Sequence, residues 1–93
     1  MDSGFTLLEK GNFQEAEEFF EAYLKTDPEN KTARLCYGRA VGLSGEPEKA
    51  TALFANLLLD YPEDFEIQIN YNESFLWAKE YERAKAIIYR FGQ

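Results

Sequence analysis

The side chains able to do chemistry in this chain are seventeen carboxylates and a single thiol, with no histidine anywhere. Without imidazole the chain lacks the commonest general base and metal ligand near neutral pH. Cys36 therefore has no histidine to activate it as a nucleophile. Paired carboxylates could still act as general acid and base. However, Glu15, Glu17, Glu18 and Glu21 are spaced as the solvated face of a helix, and no second catalytic group accompanies them. Asp60, Glu63, Asp64 and Glu66 could offer oxygens to a calcium ion. They lack the ordered ligand loop of a calcium hand, so turn and helix-cap roles are expected. There is no glycine-rich phosphate loop and no paired-cysteine zinc spacing. The chain reads as a non-enzyme with no cofactor and no metal.

Composition narrows the remaining classes. A formal net charge of −7 opposes binding to phosphate backbones, which recruit clustered Lys and Arg, so nucleic acid is not an expected partner. A lone cysteine forms no internal disulfide, no run approaches the roughly 18 apolar residues that span a bilayer, and no basic segment leads into an apolar stretch. The expectation is a soluble protein without membrane insertion; the compartment stays open, with the cytoplasm favoured. At 93 residues and 45% hydrophobic content, one domain over residues 1–93 is expected.

The elements that must position any binding surface follow from an internal period of 34 residues. Gly4 falls on Gly38 and Asn72, Gly11 on Gly45 and Lys79, Phe13 on Pro47 and Tyr81, Ala16 on Ala50 and Ala84, Phe20 on Phe54 and Ile88, and Pro28 on Pro62. A period of this length marks a stacked repeat, in which each unit buries its apolar face on its neighbours. Local signals give each unit two helices. Asp2 or Ser3 can cap a first helix to about Lys10, and Gly11-Asn12 breaks it. Phe13, Ala16, Phe20, Tyr23 and Leu24 then recur at helical steps to Thr26, where Asp27-Pro28 ends the second helix. The plan repeats over Lys31 to Leu43 and Glu48 to Asp60, with Pro47 suited to the helix entry. The third unit is predicted as two helices, Glu63 to Ala78 and Tyr81 to Arg90, around a turn at Lys79-Glu80. Gly4, Gly38, Ala16, Ala50 and Ala84 are expected where helices cross closely, and Phe13, Phe20, Tyr37, Phe54, Tyr71, Phe75 and Tyr81 in the core.

The run Gly11-Asn12-Phe13-Gln14-Glu15-Ala16 with Phe20, Leu24 and Asp27-Pro28, and its copy Gly45-Glu46-Pro47-Glu48-Lys49-Ala50 with Phe54, Leu58 and Tyr61-Pro62, resembles the tetratricopeptide repeat family. The resemblance covers essentially the whole chain. Four positions depart from the family pattern: Arg34 and Gln68 replace a large aromatic, Pro47 replaces an aromatic, and Lys79 replaces the turn glycine. The resemblance implies an all-α, right-handed solenoid of three stacked antiparallel helix hairpins, with repeats of about 1–30, 31–64 and 65–93.

It also implies a non-enzymatic module that binds a protein or peptide in a concave groove lined by the first helix of each unit. By that likeness the groove residues are Phe5, Leu8 and Glu9, then Leu35, Cys36, Arg39 and Leu43, then Glu66, Ile69, Asn70, Glu73, Leu76 and Trp77. Trp77 and Arg39 are the expected hot spots; the alternative for Trp77 is packing inside the third unit. Family members that clamp a C-terminal carboxylate use cations at places held here by Met1, Phe5, Cys36, Glu66 and Asn70, so that clamp is rejected. The last predicted helix carries Ala84, Ile87, Ile88 and Phe91 with no polar cap after it. This suggests a fragment of a longer array, or a homodimer joined through Ile87, Ile88 and Phe91. A structural spacer or self-association unit is the second reading of function.

Overall fold

A computed structural model describes the backbone of residues 1–91 and the side chains of residues 1–86. Its elements are α1 (Asp2–Glu9), α2 (Phe13–Thr26), α3 (Lys31–Leu43), α4 (Pro47–Asp60) and α5 (Phe65–Phe91), with no strand among the described residues. Each helix packs on the next, and α3 also meets α5. The fold is an all-α stack of helical hairpins, and no helix among the described residues is long and apolar enough to cross a membrane.

The two complete hairpins, α1–α2 and α3–α4, turn by the same device. Gly11 and Gly45 hold φ of +79° and +118°, backbone that only glycine adopts cheaply. Around the first, Gly11 N–H donates to the Leu8 carbonyl (3.1 Å) and Asn12 N–H to that of Leu7 (2.9 Å). Around the second, Gly45 N–H donates to Gly42 (3.3 Å) and Glu46 N–H to Val41 (3.1 Å). These paired bonds satisfy the last carbonyls of a helix and stop it. The links between hairpins also match 34 residues apart: Asn30 Oδ1 accepts from Ala33 N–H (2.9 Å) to start α3, and Asp64 Oδ1 accepts from Ile67 N–H (3.1 Å) to start α5. Lys31 Nζ lies 2.6 Å from Asp64 Oδ2, fastening the two caps together. That hydrogen bond, with the Ile67 N–H, holds the Asp64 carboxyl below its ordinary range. Of the four acidic residues weighed for calcium, Asp64 is thus a cap, and Asp60 pairs with Arg34 at 2.8 Å. At the first helix the N-cap is Met1, and neither Asp2 nor Ser3 supplies a side-chain cap.

The third hairpin does not form. Lys79 and Glu80 lie inside α5, which runs unbroken for 27 residues. The reason is the missing glycine: Lys79 resists the left-handed backbone that Gly11 and Gly45 supply, so nothing interrupts the helix. With no sixth helix folded back over them, Phe75 and Tyr81 are 51% and 42% exposed, and Ala84 is exposed, whereas the sequence placed all three in contacts between helices. Ile87, Ile88 and Phe91 lie outside the residues whose side chains are described.

The core is built on two equivalent contacts. Phe20 and Phe54 are fully buried, and each ring fills the space left by a glycine on the preceding helix. A Cβ on Gly4 would lie 2.5 Å from Phe20 Cζ, and one on Gly38 would lie 2.5 Å from Phe54 Cε1. Ala16, Ala33, Ala40 and Ala50 are fully buried beside them, with Val41, Leu57 and Ile67 completing the interior. Phe13, Tyr37 and Tyr71 are half-buried at its margin. Two departures from the family pattern are absorbed by polar bonds: Arg34 reaches Asp60, and Gln68 Nε2 donates to the Pro62 carbonyl at 2.9 Å. Pro47 is buried as the first residue of α4.

Gly38→Ala is expected to lower stability by about 1–3 kcal/mol through overpacking, seen as a lower urea midpoint at unchanged slope. Adding Phe54→Leu should recover part of that loss, because both changes act at one contact. Strictly additive losses in the double variant would contradict the contact.

Candidate partner-binding face

The helices α1, α3 and α5 stand side by side. Phe5 and Leu8 of α1 pack with Cys36 of α3 against Phe20, and α3 meets α5 through Arg39. This face is where the expected groove residues fall, and the structure sorts them into three groups.

The first group converges on Arg39. Its Nη1 donates to Asn70 Oδ1 and lies 3.9 Å from Glu73 Oε2. The guanidinium also sits over the Trp77 ring, 5.8 Å from its centroid. Asn70, only 5% exposed, donates through Nδ2 to the Glu66 carbonyl one turn earlier at 2.8 Å. Asn70, Glu73 and Trp77 follow one another at three- and four-residue steps, which places them along one side of α5. The result is a polar bridge between α3 and α5 with an aromatic plate beneath it, and the Arg39 side chain remains 37% exposed.

The second group is structural. Trp77 packs across to the second hairpin: a Cβ on Gly42 would lie 2.6 Å from its Cε3, and its ring meets Phe54 at 6.1 Å between centroids. The alternative of packing inside the third unit is corrected here, since the indole's neighbours are on the second hairpin, while its ring also lies under Arg39. Gly42 is the cause, because a residue with no side chain on α3 leaves a slot for it. Leu35 is 6% exposed and belongs to the core around Phe54 and Ile67. Cys36 is 8% exposed; burial pushes its thiol upward, Arg39 opposes that and Glu66 adds to it.

The third group is open. Ile69 and Leu76 are 41% and 58% exposed, one on either side of Glu73 along α5. Phe5, Leu8 and Leu43 are half-buried, and Glu9 and Glu66 are exposed. The face therefore offers apolar side chains, one partly free guanidinium and several carboxylates. Sequence reasoning missed how its parts are joined. The Arg39–Asn70 bond spans 31 residues, and behind the face Thr51 Oγ1 of α4 donates to the buried Ser74 Oγ at 2.8 Å; no local pattern announces either. Phe65, 73% exposed at the start of α5, was also unassigned.

A family model described as tetratricopeptide repeat matches residues 7–68, about two thirds of the chain, from the end of α1 into the start of α5. No curated protein and no solved structure matches the chain.

The burial of Cys36 fixes the direction of its pH response. Since its thiol is raised, iodoacetamide should alkylate it with a pH midpoint above that of a free cysteine, followed by mass spectrometry across a pH series. Arg39→Gln should move the midpoint higher still, because it removes the charge that favours the thiolate. A midpoint at or below the free-thiol value would contradict the placement.

Proposed function

The chain belongs to the tetratricopeptide repeat family, a family of protein–protein interaction modules, and on that premise we propose that it binds a peptide segment or a neighbouring domain on the face of α1, α3 and α5, without catalysis and without nucleic acid as a partner. The observation that supports this reading is the Arg39–Asn70–Glu73 bridge flanked by exposed Ile69 and Leu76. Asn70 is buried and bonded on both sides, so it cannot shift without loss, and its bond anchors the Arg39 guanidinium beside open apolar surface. Such a site captures an apolar side chain while a few polar groups fix register.

Charge indicates what flanks that apolar anchor. Glu9, Glu66 and Glu73 outnumber Arg39 on this face, and the whole chain is acidic. A partner segment carrying Lys or Arg beside one or two large apolar residues complements it better than an acidic one. Because Trp77 is held by Gly42 and Phe54, its truncation should damage the fold as well as the face; Arg39 and Ile69 are the cleaner probes.

Peptides selected from a displayed random library against the whole chain should be apolar with basic flanks. Arg39→Glu and Ile69→Asp are each expected to weaken their binding tenfold or more, about 1.4 kcal/mol, measured by fluorescence anisotropy with far-ultraviolet circular dichroism unchanged. Glu21→Ala, on α2 away from this face, should leave affinity as it was. Equal affinity in both face variants would move the site elsewhere.

A further inference from the structure

The second half of α5 is only loosely held, with Tyr81, Glu82 and Lys85 across an open cleft from Gly45–Lys49. Every residue from 79 to 86 is exposed, and within the same helix Phe75 and Leu76 are 51% and 58% exposed. In the two complete hairpins the corresponding surfaces cover one another. Ala50 of α4 lies so close to α3 that a Cβ on Gly42 would be 2.9 Å from its own, and the residues 34 positions on are Leu76 and Ala84. The chain thus carries both halves of a third hairpin contact, an acceptor around Tyr71, Phe75 and Leu76 and a donor stripe through Tyr81 and Ala84. A single straight helix keeps the two apart. Leu76 and Ala84 are eight residues from each other, about 12 Å along the axis, and α5 cannot bend back on itself without the turn that Lys79 withholds.

We propose that two copies of this chain exchange these arms, the segment 79–86 of each packing on the acceptor of the other. The second copy is the fitting occupant for three reasons. The acceptor and donor share the phase that seats α4 on α3, with Leu76 and Asn72 in place of Gly42 and Gly38, so the exchanged contact follows that one at a wider spacing. Each copy offers both surfaces, so the exchange closes with two-fold symmetry and leaves no donor unsatisfied. Charge agrees as well: residues 79–93 carry four cations (Lys79, Arg83, Lys85, Arg90) against two carboxylates, whereas the preceding 78 residues carry six cations against fifteen. The basic arm and the acidic body attract, and that attraction offsets part of the repulsion between two chains of net charge −7. The exchange does not rest on the peptide-binding reading, but it would cover Leu76, which that reading leaves open.

The whole chain should sediment at twice its 10.8 kDa mass across micromolar concentrations. Replacing Lys79-Glu80 with Gly-Asn, the pair found at the first turn, should close the third hairpin within one chain and give a monomer of unchanged helicity. In a Cys36→Ser background, Leu76→Cys and Ala84→Cys chains mixed and oxidised should form a disulfide between the two different chains, in excess of either chain with itself. A monomer at all concentrations, a dimer that persists in the Gly-Asn variant, or a mixture that yields no such disulfide would each overturn the exchange.

Discussion

Two phenyl rings pressed against two glycines set the geometry of this protein. A pair of helices can approach closely only where one has no side chain, and the chain provides that twice, at Gly4 under Phe20 and at Gly38 under Phe54. The same close approach that buries the rings brings α1 beside α3, and hence Phe5 and Leu8 against Cys36. Gly42 extends the principle by opening a slot for Trp77 from the next unit. The inner face is therefore spaced by contacts made on its far side, and substitutions at the glycines would disturb it without touching it.

The other constraint is where helices stop. Gly11 and Gly45 end α1 and α3 because only a left-handed residue lets the following N–H groups reach back to the last carbonyls. The third unit has Lys79 there, and Asn72 where Gly4 and Gly38 make room for a ring. Both departures act in one direction. Without the glycine at the turn the helix continues, and with Asn72 in place of glycine the seat for a returning ring is already partly filled. The exposed Phe75, Leu76 and Tyr81 are consequences of these two residues, not independent features of the surface.

Much of this was legible in the sequence, and the reason is local. Helix boundaries at Phe13–Thr26 and Lys31–Leu43 follow from glycine, proline and cap residues a few positions away, and the buried Ala16, Phe20, Ala50 and Phe54 follow from periodicity. The third unit misled because its period persists in apolar positions such as Tyr81 and Ala84 while the turn residue that gives the period meaning is lost. Here the absence of one glycine outweighed several apolar matches, since a helix continues by default once its own hydrogen bonds are available. Long-range polar bonds were illegible for another reason. Arg34–Asp60 and Arg39–Asn70 join residues 26 and 31 positions apart, and a guanidinium at an aromatic position reads from sequence as weakened packing when it in fact reaches a carboxylate across the hairpin.

On the face proposed for binding, residue positions are read from sequence more readily than the bonds those residues make. Asn70 looks from sequence like a free donor on the groove. In the structure its oxygen accepts from Arg39 and an amide hydrogen is spent on the Glu66 carbonyl, so it positions its neighbour and has little left for a partner. Arg39 is the reverse case: a guanidinium has five N–H donors, and its bond to Asn70 spends one of them while the group sits over Trp77. A rigid cation with spare donors loses less side-chain entropy on binding than a free one. In the proposed function, recognition would rest on one residue of α3 oriented by three of α5, and it would depend on the two hairpins keeping their spacing.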